Sequence, residues 1–69
     1  MTLIVNGQEQ DCPEGLSLAQ FVERLGLKAD RVAVELNRSI APRTRWSEIQ
    51  LAPGDKLEIV HFVGGGSPR

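Results

Sequence analysis

Sixty-nine residues leave room for one apolar core and not for a second, so the chain forms a single domain at most and has little space for an extended active site. Eight basic and nine acidic side chains give a formal net charge of -1. That is too near balance to create the positive field of a nucleic-acid binder or a membrane-surface protein, and it points instead to a protein partner.

Residues 2–5 (Thr-Leu-Ile-Val) form a β-favouring run that ends in Asn6-Gly7, the dipeptide most at ease with the positive φ angles of a two-residue hairpin turn. Residues 8–12 then supply the returning strand, closed by the turn-forming cluster Pro13-Glu14-Gly15. Ser17 reads as a helix N-cap, because Gln20 stands three residues later and completes a capping box. Leu18, Phe21, Val22 and Leu25 follow at helical spacing as one apolar stripe facing the sheet, and Gly26 stops the helix. Residues 31–37 carry Val32, Ala33, Val34 and Leu36 in a pattern suited to a central strand under that helix. Pro42 interrupts regular structure, residues 43–49 form a mixed connection, and Ala52-Pro53-Gly54-Asp55 is a strong turn before a last strand over residues 56–63. That strand sets Leu57, Ile59 and His61 against Glu58, Val60 and Phe62, with apolar residues on both faces, as in the middle of a sheet. The order of hairpin, helix, strand, irregular connection and strand predicts an α+β fold with one helix packed across a mixed sheet. It is the β-grasp order, although periodicity alone leaves half of a ferredoxin-like fold or a small barrel open.

Few side chains suggest chemistry of their own. Cys12 is the sole cysteine, so no internal disulfide forms, and with no nearby base or cation to lower its pKa it reads as a small buried apolar group. His61 has no second histidine or acid at ligand spacing and reads as a surface or half-buried strand residue, so no metal site is expected. Trp46 suits core or sheet-edge packing or, as a large rigid aromatic, a docking contact. Arg43 and Arg45 beside it read as solvated or as pairing with an acidic partner groove. The start of the chain lacks the basic and long apolar regions of a signal peptide, and no segment is long enough to span a bilayer, which predicts a cytoplasmic protein.

The end of the chain is different. Gly64-Gly65-Gly66-Ser67-Pro68-Arg69 has almost nothing to bury, and glycine costs the most backbone entropy to order, so residues 64–69 are expected to be a flexible tail on a domain of residues 1–63. Taken alone, three glycines also suit a frayed end or a cloning remnant. Extended, residues 64–66 reach about 10 Å past the last strand, enough to thread a narrow cleft in another protein.

The order and spacing of Thr2 to Gly7, Val32-Ala33-Val34-Glu35-Leu36-Asn37, Ala41-Pro42-Arg43 with Trp46, Pro53-Gly54-Asp55 and Val60 to Gly66 resemble the ThiS family over nearly the whole chain. The resemblance implies a β-grasp sulfur carrier for thiamine thiazole biosynthesis, a cosubstrate rather than an enzyme. In such carriers a ThiF-like adenylating enzyme uses ATP to activate the terminal glycine carboxylate, which becomes a thiocarboxylate and donates its sulfur to a ThiG-like thiazole synthase. No cofactor is bound by the carrier itself. On this sequence Gly65 and Gly66 match the terminal glycine pair, Gly64 extends it, and Phe62 and Val63 lead into it as partner-contacting residues. Ser67-Pro68-Arg69 departs from the pattern, since it ties up the carboxylate of Gly66 as an amide. The expectation is removal of these residues by a tail-processing peptidase, the alternatives being a cloning remnant or an inactive chain. Sulfur carriage toward molybdopterin, cysteine or another metabolite, and a ubiquitin-like modifier or interaction domain, are the competing readings.

Overall fold

The computed structural model describes residues 1–62. Strands β1 (Thr2–Val5) and β2 (Gln8–Asp11) form an antiparallel hairpin through Asn6 and Gly7, which both take positive φ, 50° and 83°. Helix α1 (Leu18–Arg24) begins at the expected capping box: the Ser17 hydroxyl accepts from the Gln20 N–H at 3.1 Å, and the Gln20 side chain accepts from the Ser17 N–H at 2.9 Å. It ends with Gly26 at φ 77°, whose N–H bonds to Glu23 while that of Leu27 bonds to Val22. These two bonds satisfy carbonyls that the last helical turn would otherwise leave open.

Strand β3 (Val32–Leu36), the short β4 (Ser39–Ile40) and β5 (Lys56–His61) complete one five-stranded sheet in the order β2-β1-β5-β3-β4. The last strand lies in the middle, parallel to β1 and antiparallel to β3. This is the β-grasp arrangement expected above, with the helix across a mixed sheet.

The helix contributes Leu18, Phe21 and Val22 to the core, against Leu3 and Val5 of β1, Val32 and Val34 of β3, and Leu57 of β5. Leu25, the fourth residue of the predicted stripe, is only half-buried because it already caps the helix. Trp46 packs in the core at 3% exposure and donates its indole N–H to the Ala41 carbonyl at 2.8 Å, which decides for packing over docking. Cys12 is buried and free, as its apolar reading predicts.

Two elements depart from the sequence reading. The connection after β3 contains a second two-residue hairpin, through Asn37 and Arg38 at φ 51° and 75°, and its return strand is β4. Arg38 is no glycine, which hides the turn from composition. The predicted last strand to Val63 is also too long: β5 closes at His61. The Phe62 N–H still bonds to the Arg31 carbonyl, but Arg31 belongs to a 3₁₀ turn, Ala29–Arg31, and not to β3. Val63 and the tail assigned to residues 64–69 lie outside the described residues.

Candidate functional site: the open sheet face and the end of the central strand

The helix covers one face of the sheet and leaves the other open. Directly paired residues share a face. The register sets Val32 against His61, Val34 against Ile59 and Leu36 against Leu57 toward the helix side. Ala33 against Val60 and Glu35 against Glu58 therefore lie on the open side, joined by Ile40 opposite Glu35. Ile40 and Val60 are 68% and 60% exposed, and Phe62, at the end of β5, is 46% exposed; these are the large exposed hydrophobic residues of the described chain. Ala33, Glu35, Ile40, Glu58 and Val60 line a shallow hollow of about 100 Å³. A second hollow, at the edge of β3, is lined by Ile40, Ala33, Pro42, Arg43, Trp46 and Phe62.

The strand that leads to the glycines is held by side chains at its start and along its length. At its start, the Asn37 side chain accepts from the Lys56 N–H at 3.0 Å and donates to Asp55 at 3.1 Å, while the other Asp55 oxygen accepts from the Ala52 N–H at 2.8 Å. Further along, β1 stops at Val5 while β5 runs on to His61. Asn6 covers the gap: its side-chain oxygen accepts from the Ile59 N–H at 2.7 Å, and its side-chain nitrogen donates to the Ile59 carbonyl at 3.3 Å. One amide side chain thus takes the place of the next strand residue.

Of the predicted site residues, the structure places Phe62 at the mouth of this strand, half-exposed and beside the apolar face. Val63, Gly64, Gly65 and Gly66 fall outside the described residues. His61 is exposed. Arg43 donates to the Ala29 carbonyl at 2.8 Å, and Arg45 forms an exposed ion pair with Glu48 at 2.9 Å, so both serve local structure. Ile40 and the facing pair Glu35 and Glu58 are features of this face that sequence reasoning did not single out. A single isoleucine between Ser39 and Ala41 carries no periodic signal, and the glutamates meet only through a strand register. Among the described residues, no three His, Cys, Asp or Glu side chains gather where they could hold a metal ion.

A mixed sheet whose last strand sits centrally, with one helix across one face and the other face open, defines a β-grasp protein. The ThiS family model matches residues 3–66, and the chain belongs to the ThiS family. It is 39% identical over all 69 residues to a thiazole synthase of Paramagnetospirillum magneticum, of which it spans only 21%. It is 26% identical over 66 residues to the sulfur carrier protein ThiS of Escherichia coli, covering 96% of this chain and 100% of that one. The crystal structure of the thiamine biosynthesis protein ThiS from Geobacter metallireducens superposes with a TM-score of 0.83 at 32% identity, over 96% of this chain and 100% of that one. The chain thus spans about a fifth of the curated thiazole synthase it matches and the full length of the free-standing carrier.

Proposed function

We propose that the chain is a sulfur carrier for the thiazole of thiamine, acting as a cosubstrate through the carboxylate of Gly66. The observation that carries this reading is where the family match stops: it runs through the glycines and ends at Gly66. The carboxylate attacks ATP in a ThiF-like adenylating enzyme, and pyrophosphate leaves. A sulfur nucleophile then displaces AMP from the acyl adenylate, and the resulting thiocarboxylate delivers sulfur to thiazole synthase. The carrier contributes reach and position, because glycines alone offer a chain end without side chains to a narrow cleft.

For Gly66 to act, Ser67-Pro68-Arg69 has to be removed by a peptidase. The match to the Paramagnetospirillum protein takes in all 69 residues and about a fifth of that protein, so chain following the glycines occurs in a natural relative. The same relative, a thiazole synthase, favours thiazole formation over other sulfur pathways. The test is the intact mass of the protein from its native host, and of the same protein after incubation with the adenylating enzyme, ATP and a sulfur source. The expected result is a chain ending at Gly66 that gains one oxygen-for-sulfur exchange. Retention of residues 67–69 with no exchange overturns the reading.

A further inference from the structure

We propose that Asn6 is a positioning residue for the adenylation of Gly66: its side-chain amide holds β5 beyond the end of β1 and so fixes the direction in which the chain leaves the sheet toward the adenylating enzyme. The inference rests on the sulfur-carrier reading above and adds to it a residue at the opposite end of the sequence from the reacting carboxylate.

Three observations carry it. First, β5 outruns β1. Leu57, opposite Val5, is the last β5 residue paired with β1, while the strand continues to His61. On its other side β5 stays paired with β3 up to Val32 opposite His61, and the Phe62 N–H donates to the Arg31 carbonyl at 2.8 Å. A strand end paired along one edge opens more readily than one paired along both.

Second, Asn6 supplies the missing edge. A ladder residue offers its neighbour one acceptor and one donor, and the Asn6 amide offers the same pair to Ile59, accepting from its N–H at 2.7 Å and donating to its carbonyl at 3.3 Å. The Asn6 main-chain N–H donates to the Leu57 carbonyl at 2.8 Å and its φ is 50°, so ladder and turn together aim the side chain along β5. Among the described residues no other side chain bonds to the main chain of β5 past Lys56.

Third, the other two-residue hairpin turn repeats the device. Asn37, at φ 51°, accepts from the Lys56 N–H at 3.0 Å and donates to the Asp55 carboxylate at 3.1 Å. Glycine takes such φ angles with less strain, so the turns by themselves require neither amide. Both amides act on the one strand that leads to the glycines, Asn37 at its start and Asn6 toward its end.

Direction matters because the reach is short. Residues 63–66 separate Phe62 from the reacting carboxylate, and fully extended they span about 13 Å. At that reach a tilt of about 15° at the strand end swings the carboxylate by about 3 Å, and a misplacement of about 1 Å already costs up to a hundredfold in rate. The glycines supply access to the cleft, and the clamped strand supplies the aim.

The test compares adenylation, read as carrier-dependent pyrophosphate release, for wild type, Asn6→Gly, Asn6→Asp and Val22→Ala. Each is isolated from the native host in its mature form and assayed with the adenylating enzyme of that organism, at low temperature in sucrose, which keeps destabilised variants folded. Asn6→Gly removes both bonds and keeps a residue suited to φ 50°. Val22→Ala, at 2% exposure, lowers stability from within the helix. A chain that is merely less stable offers less folded carrier, which raises its apparent KM and leaves kcat at saturation unchanged. A misdirected end binds and reacts less often, which lowers kcat. The expected result is a kcat about tenfold lower for Asn6→Gly with KM within about twofold, and an unchanged kcat for Val22→Ala. Asn6→Asp, which keeps the acceptor for the Ile59 N–H, should stay within about threefold of wild type in kcat. In hydrogen exchange followed by NMR, the rate of the Ile59 amide relative to that of Ala41, which bonds to the Val34 carbonyl, should rise about tenfold in Asn6→Gly and not in Val22→Ala. Equal kcat for wild type and Asn6→Gly overturns the inference, and so does a loss confined to KM. A kcat for Asn6→Asp as low as that of Asn6→Gly counts against it equally. Those results leave the carrier reading standing, whereas a wild-type chain that supports no pyrophosphate release takes down the carrier reading and this inference together.

Discussion

Replacing Asn6 separates two jobs done by one small side chain. Asn6 holds a left-handed φ of 50° and clamps the main chain of Ile59 with a 2.7 Å and a 3.3 Å hydrogen bond, 53 residues away in sequence. Both bonds are exposed, so water replaces them in part, and each contributes about 0.5–1 kcal/mol net. An alanine in the left-handed region costs about 1–2 kcal/mol more. Asn6→Ala is therefore expected to destabilise the protein by about 2–4 kcal/mol. Asn6→Gly loses the same two bonds without the steric strain and should fall about 1 kcal/mol short of that loss. Asn6→Asp retains the acceptor for the Ile59 N–H and gives up only the longer bond, so its loss should stay below about 1 kcal/mol. Urea unfolding followed by the fluorescence of Trp46, the sole and buried tryptophan, reads all three. Equal stability of the alanine and glycine variants would remove the backbone argument. A loss under about 0.5 kcal/mol for Asn6→Gly would remove the clamp.

Further predictions concern the core and the cysteine. Phe21→Ala, at a residue 1% exposed between helix and sheet, should cost about 3–5 kcal/mol, which is most of what a domain of this size has to lose. Far-ultraviolet circular dichroism at 25 °C should show it largely unfolded, and a cooperative transition near that of wild type would contradict the packing. Cys12, buried at the end of β2, should react with an alkylating reagent only as fast as the chain opens. Labelling should then appear in urea and be nearly absent in buffer, so fast labelling of the native protein is the result against it.

Local rules made the elements of this chain legible, because each is encoded within a few residues. Asn6-Gly7 specifies its turn through φ, Ser17 and Gln20 cap a helix through reciprocal bonds, and Leu18, Phe21 and Val22 recur at the helical period. The glycines of residues 64–66 were visible as a departure from packing, and their chemistry came through resemblance rather than through any spacing of reactive groups. The reading faltered where a feature depends on residues far apart. The Asn37-Arg38 turn has no glycine to announce it, and β4 is two residues long, too short for any period.

The run of glycines is therefore a property of sequence, and the open face of the sheet a property of fold. Glycine's freedom and the apolar stripe of α1 belong to the residues themselves and survive any arrangement of the chain. That Ile40, Val60 and Phe62 share one open face, that Glu35 meets Glu58, and that Asn6 holds Ile59 all depend on β5 entering the sheet between β1 and β3. A strand register is set by the summed burial of a whole sheet, and a slip of one residue would send every one of those side chains to the other side.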